Sequence, residues 1–348
     1  MMKSLKQLVS IPLAIILVLT MFSSVSASEV TYDIKQGTMK FDGLDRTYKY
    51  YIPTTYTKKK SVPLMLSFHG SGSSAAGQIL LTDYQKVAEK EGFIVVFPDS
   101  TVIDEAGKFV TNASDVYDPT SKLTRRWNIG AEPGTLSTVN DVGFTAALID
   151  HFNQEYNIDE RRVYATGMSY GGFFSNHLAV HMSDRIAGIG AVTGQMAFST
   201  SKESPSRPVT TVYVMGDKDP TVPPAGRPNF ILSVTDSVSY WINNNKTVNK
   251  AQTTYLPQIV NDGTRIRRDA YGDGKHGTEV ILYTVENGGH TWPGGPQYLG
   301  VEYIGIASQQ MKASEVIWNE LKDHKIPGKK DKTKGKGKGK GKQKGKNK

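Results

Sequence analysis

Ser169 lies in Gly167-Met168-Ser169-Tyr170-Gly171, with a further Gly172 behind it. The G-x-S-x-G spacing is that of a nucleophile elbow, a strained turn between a strand and a helix that carries an exposed serine. Glycine is required because a side chain at either flanking position would clash across so tight a turn. A serine hydroxyl is a poor nucleophile near neutral pH. It needs a histidine to take its proton and a carboxylate to hold that histidine in one tautomer. The chemistry this implies is acyl transfer, with Ser169 attacking a carbonyl carbon and water later releasing the acyl group.

Behind such an elbow the chain order is serine, acid, histidine, each on a loop that follows a strand. There are seven histidines. His69 and His151 come too early, and His177 and His181 sit on a helix-like run. His324 closes the last helix-like run, and His276 precedes the last strand-like run. His290 alone follows that strand, in Glu286-Asn287-Gly288-Gly289-His290-Thr291-Trp292, and is the expected base. The acid should follow the strand-like run ending at Met215, in Gly216-Asp217-Lys218-Asp219-Pro220. Asp219 is favoured because it lies further along the loop and precedes Pro220. Asp217 is the alternative, or else a turn-forming side chain bonded to its own backbone.

The developing oxyanion needs two backbone N–H donors. Tyr170, directly after the nucleophile, supplies one. The other is expected from His69-Gly70-Ser71-Gly72-Ser73-Ser74, with Ser71 the first choice and Gly70 and Gly72 the alternatives. This chemistry calls for no metal and no organic cofactor.

The elements that must position these residues alternate along the chain. Gly37–Phe41 and Arg46–Ile52 flank Asp42-Gly43, a hairpin signal. Pro63–Phe68 and Phe93–Phe97 read as fully buried strands, and Thr82–Glu91 between them as a helix stopped by Gly92. A longer helix is expected from an N-cap at Thr138 to Tyr156, with Val142, Leu148, Ile149 and Phe152 inward. Arg162–Thr166 is the strand entering the elbow, and Phe174, Leu178 and Met182 mark the helix leaving it. Strands follow at Ile186–Val192, Val209–Met215 and Thr278–Val285, with helices at Thr235–Asn243 and Ala307–His324. An antiparallel hairpin followed by repeated β-α units predicts an α/β fold, a doubly wound and mostly parallel sheet in a single domain. The weakly periodic Ser100–Leu136 segment should lie over the carboxyl ends of the strands, where ligands bind in such sheets.

Three segments differ in character. Residues 1–27 have the form of a secretory signal peptide. Lys3 and Lys6 precede the short apolar run Ile11–Phe22, and Val25-Ser26-Ala27 is a small-residue cleavage site. The catalytic body is 28–328, with no further segment that approaches a membrane span. Residues 329–348 form a tail with 11 Lys and 1 Asp and no apolar residue, so it is expected to be disordered. Setting the tail's net charge of +10 and the leader's +2 against the chain's +9 leaves the body mildly acidic, at −3. The tail reads as an electrostatic tether to an anionic cell-wall polymer, polysaccharide or membrane, with no dedicated nucleic-acid partner. The chain lacks cysteine altogether, which excludes disulfides and a lipid-anchored cysteine and leaves stability to the core. The expected location is outside the cell, with possible retention at the wall.

Phe68-His69-Gly70-Ser71-Gly72, Asn140-Asp141-Val142-Gly143-Phe144 and Tyr156-Asn157-Ile158-Asp159, together with the serine, acid and histidine motifs, carry a wider likeness. From about Thr38 to Trp318 the chain resembles the esterase/polyhydroxybutyrate-depolymerase family of α/β-hydrolases, which includes feruloyl and acetylxylan esterases. The resemblance implies an α/β-hydrolase fold, with Ser169 as nucleophile, Asp219 as acid and His290 as base. It also implies that Trp127 is an aromatic residue near the pocket, and Trp292 beside the base is a second candidate. The substrate it implies is an ester, first of all a feruloyl or acetyl ester of plant polysaccharide. The alternative is an aliphatic polyester such as polyhydroxybutyrate, although the linker and binding domain usual in solid-polyester depolymerases are not visible here. A peptidase is a weaker alternative. An alternative of another class is a non-catalytic cell-wall binding protein on the same scaffold. Many relatives carry cysteines near the oxyanion loop, where this chain has Ser71.

Overall fold

Six strands form the parallel interior of one ten-stranded sheet, and their buried stretches are mostly apolar, as burial on both faces requires. The structure is a computed structural model and describes residues 31–104, 124–130 and 138–328. The leader, the tail and most of the Ser100–Leu136 segment lie outside the described residues, and with them the expectations placed there.

In chain order the strands are β1 (Lys35–Phe41), β2 (Leu44–Tyr51), β3 (Val62–Phe68), β4 (Ile94–Pro98), β5 (Thr101–Ile103) and β6 (Thr124–Arg126). They continue with β7 (Ile158–Met168), β8 (Gly188–Val192), β9 (Thr210–Gly216), β10 (Gln252–Tyr255), β11 (Arg265–Tyr271) and β12 (Val280–Glu286). The sheet runs β1-β2-β4-β3-β7-β8-β9-β12-β11-β10, and β5 and β6 make a separate two-stranded ribbon. From β4 to β12 all neighbours are parallel, while the β1-β2 and β11-β10 margins are antiparallel.

The described helices are α1 (Ala75–Thr82), α2 (Tyr84–Glu91), α3 (Asp141–Glu155), α4 (Tyr170–His181), α5 (Val234–Asn245), α6 (Val301–Ile304) and α7 (Ala313–Leu321). Residues of α3, α4 and α5 share one apolar cluster with one sheet face. Residues of α1, α2 and α7 share the other cluster with the opposite face. There Phe93 stacks on Trp318 with ring centroids 3.9 Å apart. The result is the expected doubly wound α/β sandwich with an antiparallel N-terminal hairpin.

Several boundaries differ from the sequence expectation for local reasons. The α3 cap is Asn140, not Thr138: its side chain accepts the Gly143 N–H at 2.8 Å, satisfying an otherwise unpaired first-turn donor. The Ser/Gly-rich stretch after β3 enters a helix, α1, capped by Ser74, whose hydroxyl accepts the Gly77 N–H. Asp83, with φ 52°, breaks α1 from α2. The last helix starts at Ala313, not Ala307. Residues before it are used instead to pin the loop after β12, through Gly289 N–H to Ile306 O and Gly294 N–H to Ser308 O. The antiparallel pair β10-β11 was not foreseen.

Candidate active site

Ser169, Asp219 and His290 follow β7, β9 and β12, three strands of the parallel interior. Parallel strands end on one edge, so all three loops emerge at the carboxyl edge of the sheet. That is where open α/β sheets hold their ligands.

Ser169 has φ 56° and ψ −119° and stands directly before the first turn of α4. A non-glycine residue in this region is held there by its surroundings at about 1–3 kcal/mol of strain. Its N–H donates to Val192 O and its carbonyl accepts the Phe173 N–H, each at 2.9 Å. The glycines explain how the turn can be so tight. A Cβ on Gly171 would lie 2.0 Å from Phe68 O, and one on Gly167 would lie 2.5 Å from the Gly171 carbonyl carbon. Ser169 itself is only partly buried.

His290 Nδ1 lies 2.7 Å from Asp219 Oδ2, and both residues are buried. Facing a carboxylate, Nδ1 carries the proton and donates it, which leaves Nε2 as the acceptor. The second oxygen of Asp219 accepts the N–H groups of Thr221 and Val222 at 2.8 and 2.7 Å. The carboxylate is thus fixed on both sides. Asp217 does something different. Its Oδ1 accepts the Asn287 N–H at 2.7 Å, and its own N–H donates to Val285 O, so it clamps the base of the histidine loop. The loop after β8 is tied in as well, through Gln195 Nε2 to Pro223 O at 3.0 Å.

The loop after β3 approaches the elbow: a Cβ on Gly70 would be 3.4 Å from Ser169 Cβ. Among its candidate donors, Gly72 N–H is spent on Arg125 O at 2.9 Å. Ser71 and Gly70 stand on the same loop, and Tyr170 stands at the start of α4. The Ser71 hydroxyl accepts from Arg126 Nε at 3.2 Å, and the Arg126 guanidinium lies 5.3 Å from the centre of the Tyr170 ring.

Sequence reasoning set His69 aside, yet it braces this loop. Its Nδ1 lies 2.7 Å from Gly70 O, and its Nε2 accepts the Ser100 N–H at 3.1 Å. Burial holds the ring neutral, with its pKa pushed down to about 4 despite the Asp99 charge nearby. Neutrality lets one nitrogen donate while the other accepts. Behind it lies a buried ion pair, Arg46 to Asp141 at 2.7 Å. The other Asp141 oxygen accepts the Asn128 N–H at 2.7 Å, while Arg46 reaches Asp99 O and its guanidinium sits 3.9 Å from the centre of the Phe144 ring. Burial raises the Asp141 pKa, and the guanidinium opposes that shift. The sequence carried no clear signal of this pair, because the strand of Arg46 also holds Asp45 and Lys49.

The two tryptophans are in the core. Trp127 is fully buried, stacked on Phe174 with ring centroids 5.0 Å apart and planes within 9°. Its Nε1 donates to His69 O at 3.0 Å. Trp292 is 1% exposed and donates to Ser314 Oγ at 3.1 Å, with Tyr84 against its ring. Both therefore support the loops from beneath. Three of the other histidines are bonded elsewhere: His177 to Thr200 Oγ1, His151 to Tyr48 Oη, and His324 to Thr210 Oγ1. Among the described residues no group of three or more histidine or acidic side chains could hold a metal, and no helix is long and apolar enough to cross a membrane.

A model of the prolyl oligopeptidase family matches residues 138–231, which include the elbow and the acid loop. NocK of Nocardia uniformis subsp. tsuyamanensis, designated an esterase, is 24% identical over 78% of this chain and 78% of its own length. The bifunctional acetylxylan esterase/xylanase XynS20E of Neocallimastix patriciarum is 28% identical over 51% of this chain. Feruloyl esterase B of Piromyces equi is 24% identical over 68% of it. The matches span only 22% and 41% of these last two proteins. Among solved structures, the acetyl xylan esterase from Aspergillus awamori superposes with a TM-score of 0.51 and 13% identity, over 74% of this chain and 94% of that one. At that identity the likeness is one of fold.

Proposed function

We propose that the chain, which is similar to esterases of the α/β-hydrolase fold, is a secreted serine carboxylic-ester hydrolase acting on feruloyl or acetyl esters of plant polysaccharide. The observation that carries the chemistry is the 2.7 Å contact between His290 Nδ1 and Asp219 Oδ2, on loops from the same sheet edge as the strained Ser169. Named relatives that act on acetylxylan and feruloyl esters support the substrate class.

In this reading His290 Nε2 takes the Ser169 proton as Oγ attacks the ester carbonyl. The negative charge that builds on the carbonyl oxygen is met by the N–H of Tyr170 and that of Ser71. His290 then returns the proton to the leaving alcohol, and a water activated by the same nitrogen cleaves the acyl-enzyme. Asp219 keeps the imidazole in the tautomer that can accept and stabilises the imidazolium that forms. Trp127, Trp292 and His69 act as supports of the loops. The leader would deliver the protein outside the cell, and the lysine tail would hold it near anionic wall material.

The test is Ser169→Ala assayed on a short p-nitrophenyl ester, on methyl ferulate and on acetylated xylan. Loss of the nucleophile of a working triad lowers kcat by about 10⁶. Unchanged turnover by the variant would remove Ser169 from the chemistry. Activity of the unmodified chain on the p-nitrophenyl ester alone, with no ferulate or acetate released, would remove the polysaccharide ester.

A further inference from the structure

Three consecutive residues at the end of the β5-β6 ribbon hold the loop after β3. The carbonyl of Arg125 accepts the Gly72 N–H at 2.9 Å, Arg126 Nε donates to the Ser71 hydroxyl at 3.2 Å, and Trp127 Nε1 donates to His69 O at 3.0 Å. Arg126 also reaches the first residue of α4. Its guanidinium carbon lies 5.3 Å from the centre of the Tyr170 ring, within the range of a cation–π contact. One side chain therefore touches both residues whose N–H groups are proposed to meet the oxyanion.

This bridge falls where the sheet has stopped joining the two loops. The last pair of the β3-β7 ladder is Phe68 with Gly167, and Ser71 and Tyr170 each stand three residues beyond it. Ser71 is exposed, and a Cβ on Gly72 would meet nothing within 4 Å. The loop is thus held here by the ribbon more than by packing. Its spacing from α4 matters for the rate. One donor of an oxyanion hole is worth about 10²–10³ in kcat, and a misplacement of about 1 Å can forfeit 10²-fold. Arginine suits the task, because the edge of its planar group donates while its face lies against a ring. Lysine has neither edge nor face.

We propose that Arg126 is a positioning residue for the ester hydrolysis. It holds Ser71 by the hydroxyl and Tyr170 by the ring, and so sets the distance between the two N–H groups that meet the oxyanion. The proposal rests on the acyl-transfer reading above, with Tyr170 and Ser71 as its donors. It adds a residue from outside both loops, and it gives the Ser71 hydroxyl a task that the Ser71 N–H does not have.

Kinetics and a transition-state mimic test it together. Arg126→Ala and Arg126→Lys are assayed on p-nitrophenyl acetate and titrated with methylboronic acid. The trigonal boron of that acid takes Ser169 Oγ and becomes a tetrahedral anion, the hydroxyl proton passing to His290. Both variants should lose about 10–100-fold in kcat, with KM changed by no more than about threefold. Boronate affinity should fall by the same factor as kcat/KM, which a merely structural role would not produce. Ser71→Ala keeps the N–H and should lose less, and adding Arg126→Ala to it should cost less than in the unmodified chain. Unchanged kcat, a loss confined to KM, or undiminished boronate affinity would each overturn the proposal, and the second would make Arg126 a substrate contact. Thermal melts identify a variant that unfolds, and Arg126→Gln then carries the comparison. The underlying reading fails separately. If Ser169→Ala hydrolyses the acetate as fast as the unmodified chain, triad and proposal fall together, whereas turnover that needs Ser169 but ignores Arg126 removes the proposal alone.

Discussion

The indole N–H of Trp127 reaches the backbone carbonyl of His69 at 3.0 Å, joining the end of the β5-β6 ribbon to the loop expected to hold the oxyanion. The bond is buried, so its loss leaves a carbonyl with no access to water. Trp127→Phe keeps a ring against Phe174 but removes the donor. The expected result is a loss of about 1–3 kcal/mol in stability, with kcat falling more than KM changes, read by denaturant unfolding and steady-state kinetics.

Asp219 and Asp217 are two residues apart and should separate cleanly. Asp219→Asn leaves the geometry but no longer fixes the tautomer of His290, so kcat should drop by about 10⁴. Asp217→Ala removes only the clamp on Asn287 N–H. Its expected effect is about 1–3 kcal/mol of stability and a much smaller change in rate. Assay of both on one soluble ester checks the assignment, and a reversed order would make Asp217 the acid.

The Arg46–Asp141 pair is buried at both ends. Arg46→Ala would strand the Asp141 carboxylate, and breaking a buried pair in this way costs about 3–5 kcal/mol. Because Asp141 also holds Asn128, next to Trp127, activity should decline in parallel with the unfolding midpoint. Arg46→Ala with Asp141→Ala should recover part of the loss, which a double-mutant cycle measures.

His177 is buried beside His181, and burial pushes its pKa down to about 3. In the unfolded chain it protonates near pH 6.5, so below that pH the unfolded state binds a proton the folded state refuses. Stability is therefore complete above pH 6.5 and falls as the pH drops toward 3. His69 acts in the same direction, down to about 4. Urea midpoints between pH 7 and 4 should decline, and His177→Gln should flatten the slope.

The candidate chemistry was legible because it rests on short spacings. Gly167 and Gly171 are demanded by backbone contacts, and the order of Ser169, Asp219 and His290 follows from parallel strands opening on one edge. What was not legible depended on neighbours distant in sequence. The likeness placed Trp127 near the pocket and Trp292 was a second candidate beside the base; both rings are buried in the structure, and a tryptophan motif says nothing about which side of a loop the ring takes. His69 was passed over because it precedes the elbow, and its bracing role appears only once Ser100 lies beside it. The β10-β11 pair was missed because Gln252–Tyr255 is wholly exposed and carries no alternating pattern.

The three candidate catalytic loops all spring from the parallel interior of the sheet, and none from its antiparallel margins. Fraying at the margins is thereby separated from turnover. On gentle heating, amides of β1 and β10 should lose protection from hydrogen exchange while ester hydrolysis continues, and activity should fail only when the central strands part. Amide exchange and activity followed along one temperature ramp should therefore give two well-spaced transitions.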